Sequence, residues 1–298
     1  MKVCVIFNPV ARGEKARHLQ SHLHDLAPET ALQPTTCAGD ARRLGAEAVR
    51  EGFDTIVAAG GDGTLNEVLN GLGDADGFGR VRLGVLPLGT VNVFAKELGL
   101  PQNFMAAWAV IRRGHERVID LPWADYRSEG QPQRRHFAQL AGAGLDSRAV
   151  ELVDWEMKKR LGFLAYVGAG LQALREHLPA IEVSNGQGER ASGQLVLVGN
   201  GKFYGGRFPM FPRADLSNGL LEAVIYPRVN LDTVARAGWG MLTDDFHSGA
   251  GTVQMQGRRI ELKCPAAIPF QLDGENIAPL PVTFGITPRA LRVIVPGG

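Results

Sequence analysis

The apolar run 55–59 leads directly into a segment with three glycines and one aspartate, a pattern typical of a buried strand, a tight turn and a helix. Glycines let the backbone approach a polyphosphate closely, with N–H groups free to bind its oxygens, and a helix N-terminus favours anions. The residues of this glycine-rich segment are Gly60, Gly61, Asp62, Gly63, Thr64, Leu65 and Asn66. The segment therefore predicts a phosphate site on an α/β fold.

Asp62 is the informative residue of that segment, because a carboxylate repels a phosphate ligand and adds nothing to phosphate binding alone. It fits phosphoryl transfer, in which an acid holds a metal ion or takes a proton from an incoming hydroxyl. The alternative is a glycine-rich strand–helix turn with a solvated aspartate.

The first 121 residues alternate between apolar, strand-like runs and segments with helical periodicity. This alternation predicts a parallel sheet covered by helices, with ligands bound at the carboxyl ends of the strands. The helix after the glycine-rich segment is expected to start at Thr64, in a capping box with Glu67. Strands are expected at 3–7, 55–59 and 83–87, and helices at 15–26, 40–50, 65–72, 93–98 and 106–113.

After residue 121 the alternation stops and short strand-like runs recur between Gly, Pro, Asn and Asp residues. Such spacing predicts an antiparallel β-sandwich, interrupted by helical segments at about 147–177 and 231–246. We therefore expect two domains, 1–121 for nucleotide binding and 122–298 for the acceptor, with the two substrates in a cleft between them. Strands are expected at 137–140, 181–184, 195–198, 221–226, 259–263, 282–286 and 291–295.

The composition favours a folded cytoplasmic enzyme. The formal net charge of +1 provides no strong basic field, which argues against nucleic-acid binding and against purely electrostatic membrane docking. The three scattered cysteines are expected to be small buried hydrophobes in a reducing compartment. Since no apolar stretch approaches the roughly twenty residues of a spanning helix, a lipid substrate would be reached from the membrane surface.

Several short motifs, in order and spread over nearly the whole chain, give a more specific indication. They are Asn8-Pro9, Gly39-Asp40-Ala41, the glycine-rich segment with Glu67, Pro87-Leu88-Gly89-Thr90-Val91-Asn92, Ala143-Gly144-Leu145-Asp146, Gly219-Leu220-Leu221 and Leu272-Asp273-Gly274-Glu275. Together they resemble the diacylglycerol-kinase catalytic domain, in particular the soluble bacterial lipid kinases related to sphingosine and ceramide kinases. The resemblance implies a phosphofructokinase- or NAD-kinase-like α/β domain followed by an all-β, sandwich-like domain with helical insertions.

The resemblance also implies how the site residues divide their roles. ATP, arriving with Mg²⁺, would be bound by the glycine-rich segment together with Asn8, Thr35, Thr90 and Asn92. Catalytic roles would fall to Asp62, Asp273 and Glu275; whether Asp62 or Glu275 accepts the proton of the lipid hydroxyl stays open. Taken alone, Asn8-Pro9 is also typical of a turn after a strand, Thr90 of a helix cap, and Asp273-Gly274 of a hairpin turn.

Two departures from the family pattern concern aspartates. Val93 follows Asn92 where relatives usually have an aspartate. Asn218 stands just before the Gly-Leu-Leu motif, where relatives usually have a second aspartate. In similar bacterial kinases the segment at the Gly-Leu-Leu motif binds a structural Mg²⁺. The corresponding ligands here would be Asp215, Asn218 and Leu220. Because Mg²⁺ prefers carboxylate and water oxygens, we expect this site to be weak or absent.

The leading hypothesis is an ATP-dependent lipid kinase that meets its acceptor, by default diacylglycerol, at the membrane surface. The segment 150–174 is either an interfacial helix or a helix packed on the sandwich, and 204–208 either lines an acyl pocket or forms a loop. One alternative is an NAD kinase, whose fold shares a Gly-Gly-Asp-Gly-Thr loop. The other is a non-catalytic regulatory protein that binds nucleotide or lipid.

Overall fold

The computed structural model describes residues 2–9, 30–152, 178–233 and 251–297. The chain divides into two compact units, Met1–Leu121 with Pro288–Gly298, and Pro122–Thr287. The sequence prediction placed all of 122–298 in the second domain. The segment Pro288–Gly298 lies instead in the first unit, because the final strand of the chain ends there, paired with a strand of the first unit.

Unit 1 contains a parallel sheet. Its strands are β1 (Val3–Phe7), β2 (Thr30–Pro34), β3 (Thr55–Gly60) and β4 (Arg82–Pro87), and their order in the sheet is β2-β1-β3-β4. Every residue of β1 and β3 is buried, as expected for strands covered on both faces. The described helices of this unit are α1 (Asp40–Arg50), α2 (Asp62–Asp74), α3 (Val93–Glu97) and α4 (Phe104–Arg113).

The start of helix α2 differs from the prediction. The helix begins at Asp62 with Gly61 as its N-cap, and the amide N–H of Leu65 already donates to the Gly61 carbonyl at 3.1 Å. Thr64 is therefore inside the first turn and forms no capping box with Glu67. The carboxylate of Glu67 instead accepts the backbone N–H groups of Gly39 and Ala41, at 3.0 and 3.1 Å, and so caps helix α1.

Helices α1 and α2 cross in close contact through glycine. A Cβ atom at Gly71 would lie 2.1 Å from the backbone oxygen of Arg42 and 3.1 Å from the backbone nitrogen of Ala46. Neither atom belongs to a flexible side chain, so the two helices can relieve this overlap only by moving apart. The packing of α2, which presents Asp62 at its N-terminus, thus depends on the absence of a side chain at Gly71.

Replacing Gly71 by alanine is expected to destabilise the protein by about 1–3 kcal/mol, despite the better helix propensity of alanine. Thermal unfolding measures the effect. Gly63→Ala is the matched control, because it lies in the same helix and its Cβ would meet no atom within 4 Å. A Gly71→Ala variant as stable as Gly63→Ala would contradict the close helix packing.

Unit 2 consists of antiparallel sheets. The strands in these sheets are β5 (Glu116–Ser128), β6 (Gln131–His136), β7 (Leu140–Gly144), β8 (Ile181–Ser184), β9 (Arg190–Gly193), β10 (Leu195–Gly199), β11 (Phe203–Tyr204), β12 (Phe208–Pro209), β13 (Leu221–Tyr226), β14 (Val253–Gly257), β15 (Arg259–Lys263), β16 (Pro269–Leu272), β17 (Glu275–Pro279) and β18 (Val282–Ile294). One sheet has the order β14-β13-β10-β7-β16-β17; the other contains β18, β15, β8 and β9, with β5 and β6 as a hairpin, and β11 and β12 pair as a ribbon. Side chains from both sheets form a shared apolar core in which Phe137, Phe270 and Phe284 pack edge to face. This is the predicted sandwich-like architecture.

Several predicted elements of unit 2 differ or fall elsewhere. The expected strand 137–140 is displaced to β7, and the expected strands 282–286 and 291–295 are one strand, β18. Of the expected helical segment 147–177, the structure describes α5 (Leu145–Leu152). The helix predicted at 15–26, most of the 150–174 segment and most of 231–246 lie outside the described residues.

Two further expectations concern the surface. Cys4 is buried as predicted, whereas Cys37 is exposed, because it lies in the loop between β2 and α1 rather than in a core. Among the described residues, no helix combines the length and the apolar character needed to cross a bilayer.

Candidate active site

The candidate nucleotide residues of unit 1 gather at the carboxyl edge of the parallel sheet. Asn8 follows β1, Thr35 follows β2, and Gly60 ends β3. The loop with Thr90 follows β4. Because β2 and β3 lie on opposite sides of β1, the connections diverge at this edge, which is where doubly wound sheets bind ligands.

The loops after β3 and β4 are joined by their backbones. The N–H groups of Leu88 and Gly89 both donate to the carbonyl of Gly60, at 2.9 and 3.3 Å. A Cβ atom at Gly89 would lie 2.5 Å from the Cα of Gly61, so only glycine permits this approach. The glycine-rich segment and the Pro-Leu-Gly-Thr loop are therefore held directly against each other through their backbones.

Asp62 lies where these two loops meet. It is half-buried at the first position of α2, and its Oδ2 accepts the backbone N–H of Val93 at 3.2 Å. Val93 thus contributes to this contact through its backbone. The N-cap of α2 is Gly61, which is extended and has no side chain to bond the first amides of the helix, and Gly63 is exposed. The arrangement places a fixed carboxylate beside backbone amides suited to phosphate oxygens.

The other nucleotide candidates divide between buried and exposed positions. Thr90 is exposed, whereas Leu65 and Asn66 are buried in helix α2. The buried Asn92 adopts a left-handed backbone conformation with φ of 52°, and its Nδ2 donates to the carbonyl of Gly89 at 2.7 Å. The geometry therefore gives Asn92 a part in holding the Thr90 loop.

Asp40, the first residue of helix α1, organises the loop that carries Thr35. Its carboxylate accepts the N–H and hydroxyl of Thr36, at 2.7 and 2.5 Å, and the N–H of Cys37 at 3.2 Å. Hydrogen bonds from Thr36 hold the pKa of Asp40 well below its usual range. The buried Thr35 is itself fixed by its N–H, which donates to the Phe7 carbonyl at 2.8 Å. The loop is thus ordered by an anion at neutral pH.

In unit 2, the Asp-Gly signal is confirmed as a two-residue hairpin turn. Asp273 and Gly274 connect β16 to β17 with φ values of 48° and 89°, and Leu272 pairs with Glu275. Positive φ at both central residues is the type I′ turn that Asp-Gly favours. The turn presents Glu275 at its end.

Asp273 anchors this turn to the segment that precedes strand β7. Its carboxylate accepts the backbone N–H groups of Ala138, Gln139 and Leu140, at 2.8, 3.0 and 3.1 Å. The same contacts explain why β7 begins at Leu140, since the segment before it donates to a side chain rather than to a strand. Both oxygens of Asp273 therefore hold the hairpin turn against residues 138–140, and a catalytic role for this side chain stays a prediction.

Glu275 is exposed and forms an ion pair. Its side chain is 61% exposed, and its Oε2 accepts a hydrogen bond from Nη2 of Arg135 at 2.6 Å. Arg135 lies on the polar strand β6, 140 residues earlier in the chain, where no local sequence signal marked it. The guanidinium orients a carboxylate that remains accessible to solvent.

The candidate Mg²⁺ ligands of unit 2 fit a hard cation poorly. Oδ1 of Asp215 accepts the N–H and hydroxyl of Ser217, at 2.8 and 2.7 Å, and Oδ1 of Asn218 accepts the N–H of Leu220 at 2.9 Å. Asp215 is the one carboxylate among the three candidates, and Mg²⁺ favours more anionic oxygen. Within the described ranges, no group of three or more His, Cys, Asp or Glu side chains is arranged to hold a metal ion.

Comparisons with known proteins agree with this geometry. Residues 2–123 match the family described as "Diacylglycerol kinase catalytic domain", and residues 139–295 match the "YegS C-terminal NAD kinase beta sandwich-like domain". The chain is 31% identical to the "Diacylglycerol kinase" of Bacillus subtilis (strain 168), with 98% of this chain and 95% of that protein aligned. It is 32% identical to the "Probable lipid kinase YegS-like" of Pseudomonas aeruginosa (strain UCBPP-PA14), over 99% of this chain and 94% of that protein.

Solved structures show the same fold. A diacylglycerol kinase from Bacillus anthracis str. Sterne has a TM-score of 0.77 at 26% identity, covering 99% of this chain and 97% of that chain. Yeast NADH kinase complexed with NADH has a TM-score of 0.55 at 10% identity, covering 100% of this chain and 84% of that chain, a likeness of fold alone. By its sequence matches over both units, the chain belongs to the diacylglycerol kinase catalytic-domain family, in the bacterial branch that carries the YegS-type C-terminal domain.

Proposed function

We propose that this kinase transfers the γ-phosphate of MgATP to a hydroxyl of a diacylglycerol-like lipid, acting from the cytoplasm on acceptors in the membrane surface. The observation that carries the proposal is Asp62, an acid held by the Val93 amide where two glycine loops meet at the carboxyl edge of a parallel sheet. An acid among phosphate-binding amides serves phosphoryl transfer rather than phosphate binding alone. The lipid kinases among the relatives support the acceptor class.

The nucleotide would be bound at the edge of unit 1. Backbone N–H groups at Gly61 and Gly63 would meet the phosphates, with the exposed Thr90 hydroxyl and the segment after β1 at Asn8 beside them. Thr35 would contribute from the loop that Asp40 orders. A Mg²⁺ that arrives with ATP supplies charge neutralisation for the transferred phosphoryl group, and Asp62 is the residue that would hold it.

The acceptor's proton would pass to a carboxylate of the protein. Glu275 suits this role because it is exposed and oriented by Arg135. The hydroxyl of the lipid donates its proton to Glu275 as the oxygen attacks the γ-phosphorus, and ADP leaves. Because the transition state of phosphoryl transfer is loose, the base contributes less than the groups that neutralise charge.

Replacing Glu275 by glutamine is expected to lower kcat about 100-fold while KM for ATP changes little. Glutamine keeps an oxygen for Arg135 but cannot accept the proton at neutral pH. Steady-state kinetics with a lipid acceptor measures the effect. The matched control is Glu261→Gln, which changes another surface glutamate of the same unit, paired with Lys263, and should leave kcat unaltered. Full activity of Glu275→Gln would assign the role of proton acceptor to Asp62.

The proposed function is tested by offering labelled MgATP and a panel of acceptors in mixed micelles. The acceptors are diacylglycerol, monoacylglycerol, ceramide, sphingosine and phosphatidylglycerol, with NAD as a soluble acceptor. Label in diacylglycerol above the others is the expected result. Label in NAD alone would replace the proposal with an NAD kinase, which the shared fold admits. ATP binding without transfer to any acceptor would favour a regulatory protein.

A further inference from the structure

Asp146 is a buried acid in unit 2 that the proposed chemistry leaves unused. It lies in the first turn of α5, is 6% exposed, and receives hydrogen bonds on both carboxylate oxygens. The Tyr204 hydroxyl donates to Oδ1 at 2.5 Å, and Nε2 of Gln271 donates to Oδ2 at 2.7 Å. Three separate elements of the unit, α5, β11 and β16, therefore meet at this side chain.

The contact with Gln271 continues to the turn that carries Glu275. Oε1 of Gln271 accepts the backbone N–H of Gly274 at 2.7 Å. The side-chain amide of Gln271 thus accepts a hydrogen bond from the turn with its oxygen and donates one to Asp146 with its nitrogen. These two hydrogen bonds fix the orientation of the amide. A chain of hydrogen bonds links Tyr204, Asp146, Gln271 and Gly274, and Glu275 is the next residue.

The anchor at Asp273 and this chain hold different parts of the hairpin. The Asp273 carboxylate accepts the backbone N–H groups of residues 138–140, whereas the side chain of Gln271, a residue of β16, accepts the N–H of Gly274. Without the Gln271 contact, the Gly274 amide would lose its side-chain acceptor, and the orientation of the neighbouring Glu275 would be less well defined. Small errors of this kind reduce catalysis strongly, because proton transfer requires hydrogen-bond distance.

The burial of Asp146 also lowers the stability of the folded protein, which indicates that the carboxylate serves another purpose at this position. Burial raises the pKa of Asp146 above its ordinary value, and the hydrogen bonds from Tyr204 and Gln271 act in the opposite direction. An apolar residue would avoid this cost but would leave the Gln271 amide nitrogen without its acceptor. The acid is needed for the orientation of Gln271 rather than for the core.

At its other end, this chain of hydrogen bonds reaches the β11–β12 ribbon. Tyr204 pairs with Phe208 across that ribbon, and both side chains are half-buried. Gly205 and Gly206, with positive φ, form the bend between them. The position of this aromatic ribbon and the geometry of the Glu275 turn are thus joined through one carboxylate.

We propose that Asp146 is a positioning residue, which sets the orientation of Glu275 through Gln271 and the Gly274 amide. Through Tyr204, it couples this orientation to the position of the β11–β12 ribbon. The inference rests on the proposed function, in which Glu275 accepts the proton of the acceptor hydroxyl. In this proposal Asp146 acts through its contacts with Gln271 and Tyr204.

The test compares full-length Asp146→Ala and Asp146→Asn with the wild-type protein. Alanine breaks the chain and is expected to lower kcat about 10- to 100-fold, with KM for ATP within about threefold of wild type because the nucleotide residues belong to unit 1. Asparagine is expected to stay within about threefold of wild type, since its oxygen can accept from Gln271 and its amide can donate to the Tyr204 oxygen. Equal loss in both variants, or full activity of Asp146→Ala, would overturn the proposal.

A double-mutant cycle with Glu275→Gln separates positioning from general destabilisation. If Asp146 acts through Glu275, adding Asp146→Ala to Glu275→Gln lowers kcat little further; independent, multiplying losses would overturn the proposal. Should Asp146→Ala fail to fold, Gln271→Met breaks the same chain at its next link and takes its place in both comparisons.

Hydrogen exchange provides a readout that needs no activity. The Gly274 amide is expected to exchange faster in Asp146→Ala than in wild type, and at the wild-type rate in Asp146→Asn. Unchanged protection in Asp146→Ala would overturn the inference even in an active enzyme. Conversely, a wild-type protein that phosphorylates no lipid but shows the expected exchange pattern would refute the proposed function and leave the hydrogen-bond chain established.

Discussion

Asp62→Asn is expected to lower kcat for lipid phosphorylation about 1000-fold while the protein folds normally. Asparagine has the same shape and keeps an oxygen that can accept the Val93 N–H, so the two glycine loops should stay joined. What disappears is the negative charge. Without that charge the side chain neither holds a cation beside the phosphates nor accepts a proton, and both mechanisms open to Asp62 fail together.

The matched control for Asp62→Asn lies at the other end of the same helix. Asp74→Asn makes the same chemical change at an exposed ion pair with Arg42, for which activity within about twofold of wild type is expected. Steady-state kinetics and thermal unfolding are measured for both variants. If Asp62→Asn retained more than a tenth of the wild-type kcat, Asp62 would be no more than a solvated residue of a strand–helix turn.

Asp273→Ala is expected to destabilise unit 2 by about 2–4 kcal/mol and to lower its unfolding temperature by roughly 5–15 °C. The substitution leaves the N–H groups of Ala138, Gln139 and Leu140 without the carboxylate that accepts them, in a buried segment. Loss of activity should follow from loss of the hairpin geometry, so the unfolding temperature falls together with kcat. This behaviour distinguishes an anchor from a catalytic acid.

Asp125→Ala provides the comparison for Asp273→Ala. Asp125 belongs to the same unit and is paired with Arg134 at the surface, where the loss of an ion pair costs at most about 1 kcal/mol. A variant at Asp273 that was as stable as Asp125→Ala but inactive would support the catalytic role that the family resemblance implies.

Local signals in the sequence were sufficient for much of this fold. The all-apolar runs of β1 and β3 identify strands of a buried parallel sheet, and Asp-Gly identifies the turn before Glu275. Each of these features depends on residues adjacent in sequence, either through burial on both faces of a strand or through the φ values that a turn requires. The glycine-rich segment was recognisable for the same reason.

The remaining features depend on contacts between distant residues, which one sequence does not display. Glu67 matches a capping box but caps helix α1, because packing brings Gly39 and Ala41 within its reach. Strand β6 is polar, so it gave no apolar signal, and with it Arg135 was missed as the partner of Glu275. Asp146 lies in a recognised motif, yet its role depends on Gln271, 125 residues later.

The most direct test of the central claim is the stoichiometry of one reaction. The wild-type protein is given MgATP and diacylglycerol in mixed micelles, and ADP and phosphorylated lipid are quantified together by mass spectrometry. Transfer to a lipid hydroxyl predicts one phosphorylated lipid for each ADP. ADP formed without phosphorylated lipid, or no ADP at all, would contradict the assignment of this protein as a diacylglycerol-type lipid kinase.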